Sequence, residues 1–557
     1  MIQIQNLTIT YPGRSLPVIH RLSLDLHERE WVAIIGANGS GKTTLLHAIS
    51  GLVSPTEGDI QINGLSICQS EHLPKIRQHI GLVFQNPDDQ IISATVEREI
   101  AFGLENLGVP TIEMHQRVDG MLHQFNLTHL RTRAPHQLSG GEKQRLSLAA
   151  IAAMRPTFLL LDEPTALLDP NNRHDIIQLL CAMHREGSIT PILVTQHIEE
   201  TVFANRIIVL HQGQIVLDGS PATVFSQPQK LTQWGLQSPL TVQIATRLNM
   251  QPPYPLTLNN LMDQLPTPQN CNLPPKFSPD PLSPIVTAQN LSYHYDRGLP
   301  TETIALKDLT LTLYARQITA LIGQNGSGKS TFFQHLNGLL KPVSGHLTVC
   351  DIPVHTTKNL TPLRRRVGLI FQFPEAQLFA ETVFDDVAYG PRNLKLSDIK
   401  TRVHQALETV GIDPNTFCPR DPLRLSGGEK RRVAIAGIIA MQPDVLIFDE
   451  PTAGLDPSGV VQIEALIQAQ KNEGRTVLFI THDLDLAARL ADHIAVFHQG
   501  HLHAFGPPEN ILTSHILDTI HLPPPEIVQI TNALRQKGHE IPHQPLTIDA
   551  FCALFAF

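Results

Sequence analysis

Two glycine-rich segments, repeated at a fixed spacing, carry the residues with the clearest chemistry. The first reads GANGSGKT from Gly36 to Thr43 and the second reads GQNGSGKS from Gly323 to Ser330, so each position recurs 287 residues later. Both match the phosphate-binding loop pattern of a glycine, four free positions and Gly-Lys-Ser/Thr. A short apolar run precedes each loop and a helix-like run follows it, which is the strand, loop and helix context that the pattern requires. The chain is therefore predicted to hold two copies of one nucleotide-binding unit.

The chemistry expected of such a loop is the binding of a nucleoside triphosphate. Backbone N–H groups and the N-terminus of the following helix cradle the phosphates. Lys42 and Lys329 would reach the β- and γ-phosphates, and the hydroxyls of Thr43 and Ser330 would reach Mg²⁺. The predicted nucleotide contacts in the loops are Gly36, Asn38, Gly39, Ser40, Gly41, Lys42, Thr43 and Thr44, and Gly323, Asn325, Gly326, Ser327, Gly328, Lys329, Ser330 and Thr331.

A second repeated motif places two acids after an apolar run. The segments are FLLLDE at 158–163 and VLIFDE at 445–450. The apolar run is typical of a buried parallel strand, and it would deliver the acids to the carboxyl end of that strand, where such sheets bind ligands. We expect Asp162 and Asp449 to hold Mg²⁺ and the adjacent Glu163 and Glu450 to polarise a water.

The elements that must position these motifs also repeat. Gln85 pairs with Gln372 at the same offset of 287, whereas His197 pairs with His482 at 285, which predicts that the second copy is two residues shorter there. Small length changes within a fixed motif order indicate a duplicated α/β domain. A weaker repeat after each copy predicts a small C-terminal extension. The predicted divisions are a first domain at 1–228, its extension at 229–265, a proline-rich linker at 266–284, a second domain at 285–515 and its extension at 516–557.

Composition limits the class of protein. A chain of 557 residues with 42 basic and 51 acidic side chains has a net charge of −9, which argues against a general nucleic-acid binder. No apolar run reaches the roughly 18 residues of a spanning helix, and the N-terminus lacks the features of a signal peptide. The six cysteines are scattered without a Cys-x-x-Cys pair, as expected of free thiols in a reducing compartment. We therefore expect a cytosolic chain that does not itself cross a membrane.

A third repeated motif lies between the other two in each copy. It reads LSGGEKQR at 138–145 and LSGGEKRR at 425–432, and it resembles the signature of ABC ATPases. A Ser-Gly-Gly turn that feeds a helix N-terminus is suited to face a phosphate. The resemblance covers both copies almost end to end. It implies two tandem ABC-type P-loop ATPase domains, each with a mixed sheet core and a helical subdomain, and it implies ATP and Mg²⁺ as cofactors.

The resemblance also implies that the two sites are composite. In that family two units pair head to tail, and the signature of one unit completes the nucleotide site of the other. The residues so implied are Ser426, Gly427 and Gly428 for the first site and Ser139, Gly140 and Gly141 for the second. The other implied roles are general bases at Glu163 and Glu450, γ-phosphate contacts at His197 and His482, catalytic and Mg²⁺-binding amides at Gln85 and Gln372, and adenine stacking at Tyr11 and Tyr295.

One motif departs from the family pattern in the first copy. The second copy keeps Gly454-Leu455-Asp456, whereas the first has Leu167-Leu168-Asp169. Because this loop follows the catalytic acids, the departure predicts that the geometry near Asp169 differs and that the two sites are unequal.

The stretch after each glutamine narrows the kind of ABC protein. It reads QNPDDQ at 85–90 and QFPEAQLF at 372–379, and it resembles the paired ATPases of energy-coupling factor (ECF) importers, whose two subunits differ here in the same Asn/Phe manner as Asn86 and Phe373. The resemblance implies both ATPase subunits fused in one chain at the cytoplasmic face of the cell membrane. Its implied partners are a transmembrane scaffold subunit and a small membrane protein that binds a vitamin, a vitamin precursor, or cobalt or nickel. Asp88, Asp89 and Glu375 could meet arginines of the scaffold, or could be ordinary solvated acids.

Two other classes stay open on sequence alone. One is a soluble twin-ABC ATPase that acts on ribosomes or DNA, although such translation factors typically carry a charged helical linker and this linker is proline-rich. The other is the ATPase of a conventional ABC transporter, which differs only in its membrane partner. Co-purification with a polytopic membrane subunit, with ribosomes or with DNA would separate these classes.

Overall fold

The computed structural model describes residues 1–13, 16–166, 168–268, 283–299, 301–372, 377–513, 515–520, 522–541 and 543–555. Three features of the sequence analysis lie outside the described residues. They are most of the predicted linker (269–282), Leu167 of the departing loop, and the segment 373–376 that carries Phe373 and Glu375. The chain divides into two compact units, Met1–Leu265 with Asp456–Ser458, and Pro266–Leu455 with Gly459–Phe557.

The first unit contains two sheets and ten helices among the residues that the structure describes. Its strands are β1 (Ile2–Ile9), β2 (Ile19–Leu26), β3 (Val32–Ile35), β4 (Glu57–Ile62), β5 (Leu65–Ser66), β6 (Ile80–Val83), β7 (Phe158–Asp162), β8 (Thr190–Val194), β9 (Arg206–His211) and β10 (Gln214–Gly219). Its helices are α1 (Lys42–Ile49), α2 (Leu73–His79), α3 (Val96–Asn106), α4 (Thr111–Gln124), α5 (Gly140–Ala153), α6 (Pro170–Arg185), α7 (Pro221–Phe225), α8 (Pro228–Gln233), α9 (Leu240–Arg247) and α10 (Leu258–Gln264).

The second unit repeats this order of elements. Its strands are β11 (Pro284–Tyr295), β12 (Thr303–Tyr314), β13 (Ile318–Ile322), β14 (Ser344–Val349), β15 (Ile352–Pro353), β16 (Val367–Ile370), β17 (Val445–Asp449), β18 (Thr476–Ile480), β19 (His493–His498) and β20 (His501–Gly506). Its helices are α11 (Lys329–Leu336), α12 (Thr361–Arg366), α13 (Val383–Asn393), α14 (Ile399–Thr409), α15 (Pro414–Phe417), α16 (Gly427–Ile439), α17 (Pro457–Asn472), α18 (Leu484–Leu490), α19 (Pro508–Ile511), α20 (Ile516–Thr519), α21 (Glu526–Gln536) and α22 (Ile548–Ala553).

The strand order explains how the motifs meet. In the first unit the six-stranded sheet has the order β10-β9-β3-β8-β7-β6, and the second unit has the matching order β16-β17-β18-β13-β19-β20. The pairs within β9-β3-β8-β7-β6 are parallel, and β10 joins antiparallel to β9. Strands β3 and β7 lie on either side of β8, so their carboxyl ends share one edge. The phosphate loop that follows β3 and the acids that end β7 therefore meet there, as expected for parallel sheets.

The burial of each strand explains whether its residues are apolar throughout or alternate between apolar and polar. All residues of β3, β7 and β8 are buried, as expected for strands covered on both faces. The four-stranded antiparallel sheet β2-β1-β4-β5 instead alternates buried and more exposed positions along β2. One apolar cluster fills the space between the two sheets, and a second lies between the large sheet and helices such as α3, α4 and α5. The predicted α/β architecture, repeated in two tandem units, is thereby confirmed.

The predicted extensions contain three helices in each unit, α8, α9 and α10 in the first and α20, α21 and α22 in the second. In the first unit Val242 of α9 and Leu231 of α8 belong to the same apolar cluster as the large sheet. In the second unit Val528 of α21 and Leu546 join the corresponding cluster. The extensions thus contribute to the core of their own domain. Their predicted boundaries stay a prediction.

Among the described residues, every helix is too short or too polar to cross a lipid bilayer.

Candidate active sites

Each phosphate loop turns directly from a buried strand into a helix. In the first unit the loop leaves β3 after Ile35 and enters α1 at Lys42. The residue that precedes the helix, Gly41, has a φ of 102°, and its counterpart Gly328 has a φ of 103°. A side chain is strained in this left-handed region, so glycine is required at the turn. The helix N-terminus is thereby presented to the space over the loop, where it favours an anion.

The loop lysines are held by the carbonyl groups of their own loops. The Nζ of Lys42 donates to the carbonyl oxygens of Gly36 at 2.7 Å and Ala37 at 3.1 Å. The Nζ of Lys329 donates to the same positions of the second loop at 2.7 and 2.8 Å. Burial lowers the pKa of Lys42, and the nearby carboxylates of Glu163 and Asp162 oppose that shift. A buried cation is thus fixed where the β- and γ-phosphates are expected.

A hydroxyl and a carboxylate meet beside each lysine. The Oγ1 of Thr43 donates to Oδ1 of Asp162 at 3.1 Å, and Ser330 makes the corresponding bond to Asp449. Burial raises the pKa of both aspartates, and the hydroxyl and the lysine oppose the shift. Oxygen ligands of this kind are those that Mg²⁺ accepts, together with phosphate oxygens and waters. The residues fit Mg²⁺, while the described residues contain no cluster of three or more His, Cys, Asp or Glu side chains able to form a metal cage.

The predicted base of the first site is clamped by two amides. Glu163 is only 7% exposed, and its backbone has a φ of 46°. Its backbone N–H donates to the carbonyl oxygen of Val194 in β8 at 2.9 Å. Its Oε2 accepts from Nε2 of Gln85 at 3.0 Å, and its Oε1 accepts from Nε2 of Gln196 at 2.6 Å. Burial raises the pKa of Glu163, and the hydrogen bond from Gln196 opposes that shift.

The predicted base of the second site, Glu450, has a different neighbour. Glu450 also has a left-handed backbone, with φ at 49°, and its N–H donates to the carbonyl oxygen of Ile480 at 3.2 Å. The Nε2 of His482 lies 3.2 Å from Oε1 of Glu450. Burial raises the pKa of Glu450 to about 8, against the effect of Lys329. An imidazole therefore occupies the place that an amide occupies in the first site.

The predicted pairing of His197 with His482 is wrong by one residue. In the first unit Ile34 of β3 pairs with Val194 of β8, and in the second Leu321 of β13 pairs with Ile480 of β18. Because Ile34 and Leu321 are equivalent by the offset of 287, Val194 corresponds to Ile480, and two residues further along Gln196 corresponds to His482. The second copy is thus one residue shorter here, and not two. The residue missed by the sequence analysis is Gln196. The sequence did contain a clue to it, because a threonine precedes both residues: Thr195-Gln196 aligns with Thr481-His482.

His197 faces a different environment. It precedes a short 3-10 helix at Ile198–Phe203, and its Nδ1 lies 3.1 Å from NH1 of Arg173 on α6. Burial, and then the charge of Arg173, lower its pKa to about 3. A neutral imidazole that accepts from an arginine is a structural partner within its own unit. Its predicted contact with the γ-phosphate stays a prediction.

The two signature serines begin their helices with the same capping box. Ser139 accepts from the N–H of Glu142 at 3.4 Å, while Oε2 of Glu142 accepts from the N–H of Ser139 at 2.7 Å. Ser426 and Glu429 repeat both bonds at 3.4 and 2.8 Å. Reciprocal capping of this kind fixes the first turn of a helix. Ser139, Gly140, Ser426, Gly427 and Gly428 are exposed, so these N-termini are accessible to a ligand.

The predicted adenine contacts lie beside the phosphate loops. The hydroxyl of Tyr11 is 3.3 Å from Oγ1 of Thr44, and that of Tyr295 is 3.2 Å from Oγ1 of Thr331. Both threonines belong to the first turn of the helix that follows the loop. The described residues thus group Tyr11, the loop, Gln85, Asp162 and Glu163 in the first unit. In the second unit they group Tyr295, the loop, Asp449 and Glu450.

Gln372 differs from Gln85 in its contacts. The carbonyl oxygen of Gln372 accepts from NH2 of Arg431 at 3.0 Å, and its side chain is half-buried. The residues after it, 373–376, lie outside the described part of the chain. Its predicted role as a magnesium ligand stays a prediction.

Comparison with known proteins agrees with this geometry. The family model described as ABC transporter matches residues 19–166 and 306–453, which include both phosphate loops, both signatures and both pairs of acids. A relative from Methanosarcina mazei, named "Putative ABC transporter ATP-binding protein", is 33% identical over 97% of this chain and 95% of its own length. The "Putative HMP/thiamine import ATP-binding protein YkoD" of Bacillus subtilis is 33% identical over 92% of both chains.

One solved structure is similar to part of this chain. It is cbiO1 from Clostridium perfringens, described as part of the ABC transporter complex cbiONQ, with 37% identity, a TM-score of 0.39, and coverage of 45% of this chain and 99% of that one. The matched family model spans more than half of this chain, and the relatives above match it nearly end to end. The chain therefore belongs to the ABC transporter family, as a protein with two ATP-binding domains whose hydrolysis of ATP, with Mg²⁺, is coupled to transport.

Proposed function

We propose that this chain is the energy-coupling ATPase of an ECF-type importer for a vitamin, a vitamin precursor or a transition-metal ion. It would act at the cytoplasmic face of the membrane, on a transmembrane scaffold subunit and a small substrate-binding membrane subunit. The relative from Bacillus subtilis is named for import of HMP and thiamine, which makes a thiamine precursor the first cargo to test.

The observation that carries the proposal is an exposed apolar pair that both units repeat. Ile92 and Phe102 are 67% and 42% exposed in the first unit. Their counterparts at the offset of 287, Phe379 and Tyr389, are 62% and 50% exposed, and their rings pack edge to face with centroids 4.6 Å apart. Large exposed apolar side chains at matching places mark an interaction surface. We call the two residues of each unit the apolar pair of that unit.

The backbone beside the first residue of each pair is held by an acid, which is buried in the first unit and half-buried in the second. The carboxylate of Glu99, near the start of α3, accepts from the N–H groups of Ile92 at 3.0 Å and Ser93 at 2.7 Å. Asp386 on α13 accepts from Phe379 and Ala380, both at 2.9 Å. The same clamp in both units keeps the apolar side chains in a fixed position, as required for docking a preformed helix.

The charge of the surrounding surface favours a protein partner over a nucleic acid. Two acids, Asp88 and Asp89, precede Ile92 in the first unit, and Asp88 is 61% exposed while it pairs with Lys143 of α5 at 2.6 Å. Nucleic-acid binding would require basic side chains here. Acids beside an apolar surface instead suit an amphipathic helix with basic flanks. Glu375, the predicted third acid, lies outside the described residues.

In this proposal the two ATP sites are composite, each completed by the signature of the other copy. Glu163 and Glu450 would act as the general bases. Gln196 beside Glu163 and His482 beside Glu450 support unequal sites. We therefore expect Glu163→Gln and Glu450→Gln to reduce the ATPase activity of the assembled transporter to different extents, and equal losses would argue against unequal sites.

The partner is tested by affinity purification of the chain from detergent-solubilised membranes of its own organism. We expect a small polytopic membrane protein to co-purify with the unaltered chain and to be lost when Phe379 and Tyr389 are both changed to serine. Val461→Ser, a change at another exposed apolar side chain (55% exposed), is the matched control and should retain the partner. Recovery of ribosomes or DNA in place of a membrane subunit would contradict the proposal.

A further inference from the structure

An arginine of the second signature helix joins two segments of the second site. NH1 of Arg431 donates to the carbonyl oxygens of Pro451 at 3.2 Å and Ala453 at 2.8 Å, and NH2 donates to the carbonyl oxygen of Gln372 at 3.0 Å. Pro451 directly follows Glu450, whereas Gln372 lies seven residues before Phe379 of the second unit's apolar pair. One rigid, planar group thus holds the backbone of both segments.

The first unit has the same backbone positions but a different side chain. At the offset of 287, Gln85, Pro164 and Ala166 correspond to Gln372, Pro451 and Ala453, while Gln144 corresponds to Arg431. Gln144 is 2% exposed, and its Nε2 is buried without a hydrogen-bond partner in the part of the chain that the structure describes. An amide is shorter than a guanidinium and has fewer donors. The three-carbonyl link is therefore a feature of the second unit, and the first unit does not make it through Gln144.

We propose that Arg431 is a positioning residue that couples Gln372 to the segment after Glu450, so that displacement of Gln372 shifts the base of the second site. The coupling acts through backbone, because all three acceptors are carbonyl oxygens. Glu450 lies between the end of β17 and this segment, with a left-handed φ of 49°, so its side chain follows the position of the segment. The first unit, with Gln144 in place of the arginine, lacks this backbone link, and Gln85 instead bonds to Glu163 through its side chain.

The consequence for transport rests on the proposed function, in which a membrane subunit docks at the apolar pair of each unit. In that case docking would affect the second site through the backbone link made by Arg431, and the first site through the side chain of Gln85. The coupling within the unit does not depend on that partner. It can therefore be tested on the full chain alone, and its failure is distinguishable from failure to find a membrane subunit.

The test uses a chain in which Glu163→Gln silences the first site. Arg431→Gln, which installs the residue of the first copy, should lower kcat for MgATP about five- to tenfold and leave KM within about twofold, because positioning of a base affects the transition state more than nucleotide binding. Arg431→Lys should give an intermediate kcat, because lysine keeps the positive charge but lacks the planar guanidinium that donates to several carbonyl groups at once. Arg402→Gln is the matched control, because this arginine of α14 lies outside the signature and bonds to Gln442 instead, and it should leave both constants within about twofold.

Hydrogen–deuterium exchange of the same variants gives a second readout. Peptides that contain Gln372 and Ala453 should both exchange faster in Arg431→Gln, and peptides of β17 and β18 should not change. An unchanged kcat, a higher KM without a lower kcat, or faster exchange in only one of the two peptides would overturn the proposal. If Arg431→Gln does not fold, as judged by thermal unfolding, the same comparisons are made with Arg431→Lys.

Discussion

The two-amide clamp on Glu163 gives the sharpest prediction for the first site. Gln196→Ala removes the donor that lies 2.6 Å from Oε1 and leaves the bond from Gln85 to Oε2 at 3.0 Å. A hydrogen bond to a charged group contributes about 1.5–3 kcal/mol. Glu163 is 7% exposed, so water cannot readily replace the lost donor. If Glu163 must hold this orientation in the transition state, kcat should fall about 10- to 100-fold, since each 1.4 kcal/mol is about a factor of ten.

The assay must read the first site alone. Glu450→Gln silences the second site, and kcat and KM for MgATP are then compared with and without Gln196→Ala. We expect a lower kcat with little change in KM, because Gln196 bonds to the base. Gln196→His, which installs the second copy's residue, keeps a donor and should lose less activity. Unchanged or faster turnover in Gln196→Ala would show that this amide does not hold Glu163 in its working position, and would refute the reasoning.

Three further predictions concern stability. The pKa of His197 is about 3 in the folded chain against about 6.5 unfolded, so the unfolding free energy should fall by about 1.4 kcal/mol per pH unit as pH drops below 6.5. In urea denaturation at a series of pH values, His197→Asn should reduce this pH dependence, and an unchanged dependence would contradict the prediction. Glu99→Ala should lower the unfolding free energy of the first unit by about 2–4 kcal/mol, because two backbone N–H groups lose a charged acceptor; Glu99→Gln should lose less, and equal losses would argue that charge is unimportant there. Ser139→Ala should lower the unfolding free energy of the first unit by about 1 kcal/mol, because the helix loses its N-terminal cap. An unchanged unfolding free energy in the same measurement would show that packing alone stabilises this helix.

The local motifs could be predicted from the sequence because the structure of each one is determined by consecutive residues. A buried apolar strand, a glycine turn with φ near 100° and a helix that begins at lysine are fixed by consecutive residues, as at Gly41 and Lys42. The same holds for the capping box at Ser139 and Glu142. The tandem α/β domains, and the use of ATP and Mg²⁺, followed from these motifs and their order. The segment 373–376 and Leu167 lie outside the described residues, so the features predicted there stay predictions.

The tertiary structure alone decided which side chains share a site. The order β3-β8-β7 brings Gln196 to Glu163, although 33 residues separate them. Likewise Arg431 reaches Gln372 across 59 residues. Matching identical residues paired His197 with His482, whereas the hydrogen-bond register of β8 on β3 places Gln196 there. The reason is physical: a repeat in sequence records residue type, but a side chain's position is set by which backbone groups of neighbouring strands are bonded, and a shift of one residue moves every side chain that follows.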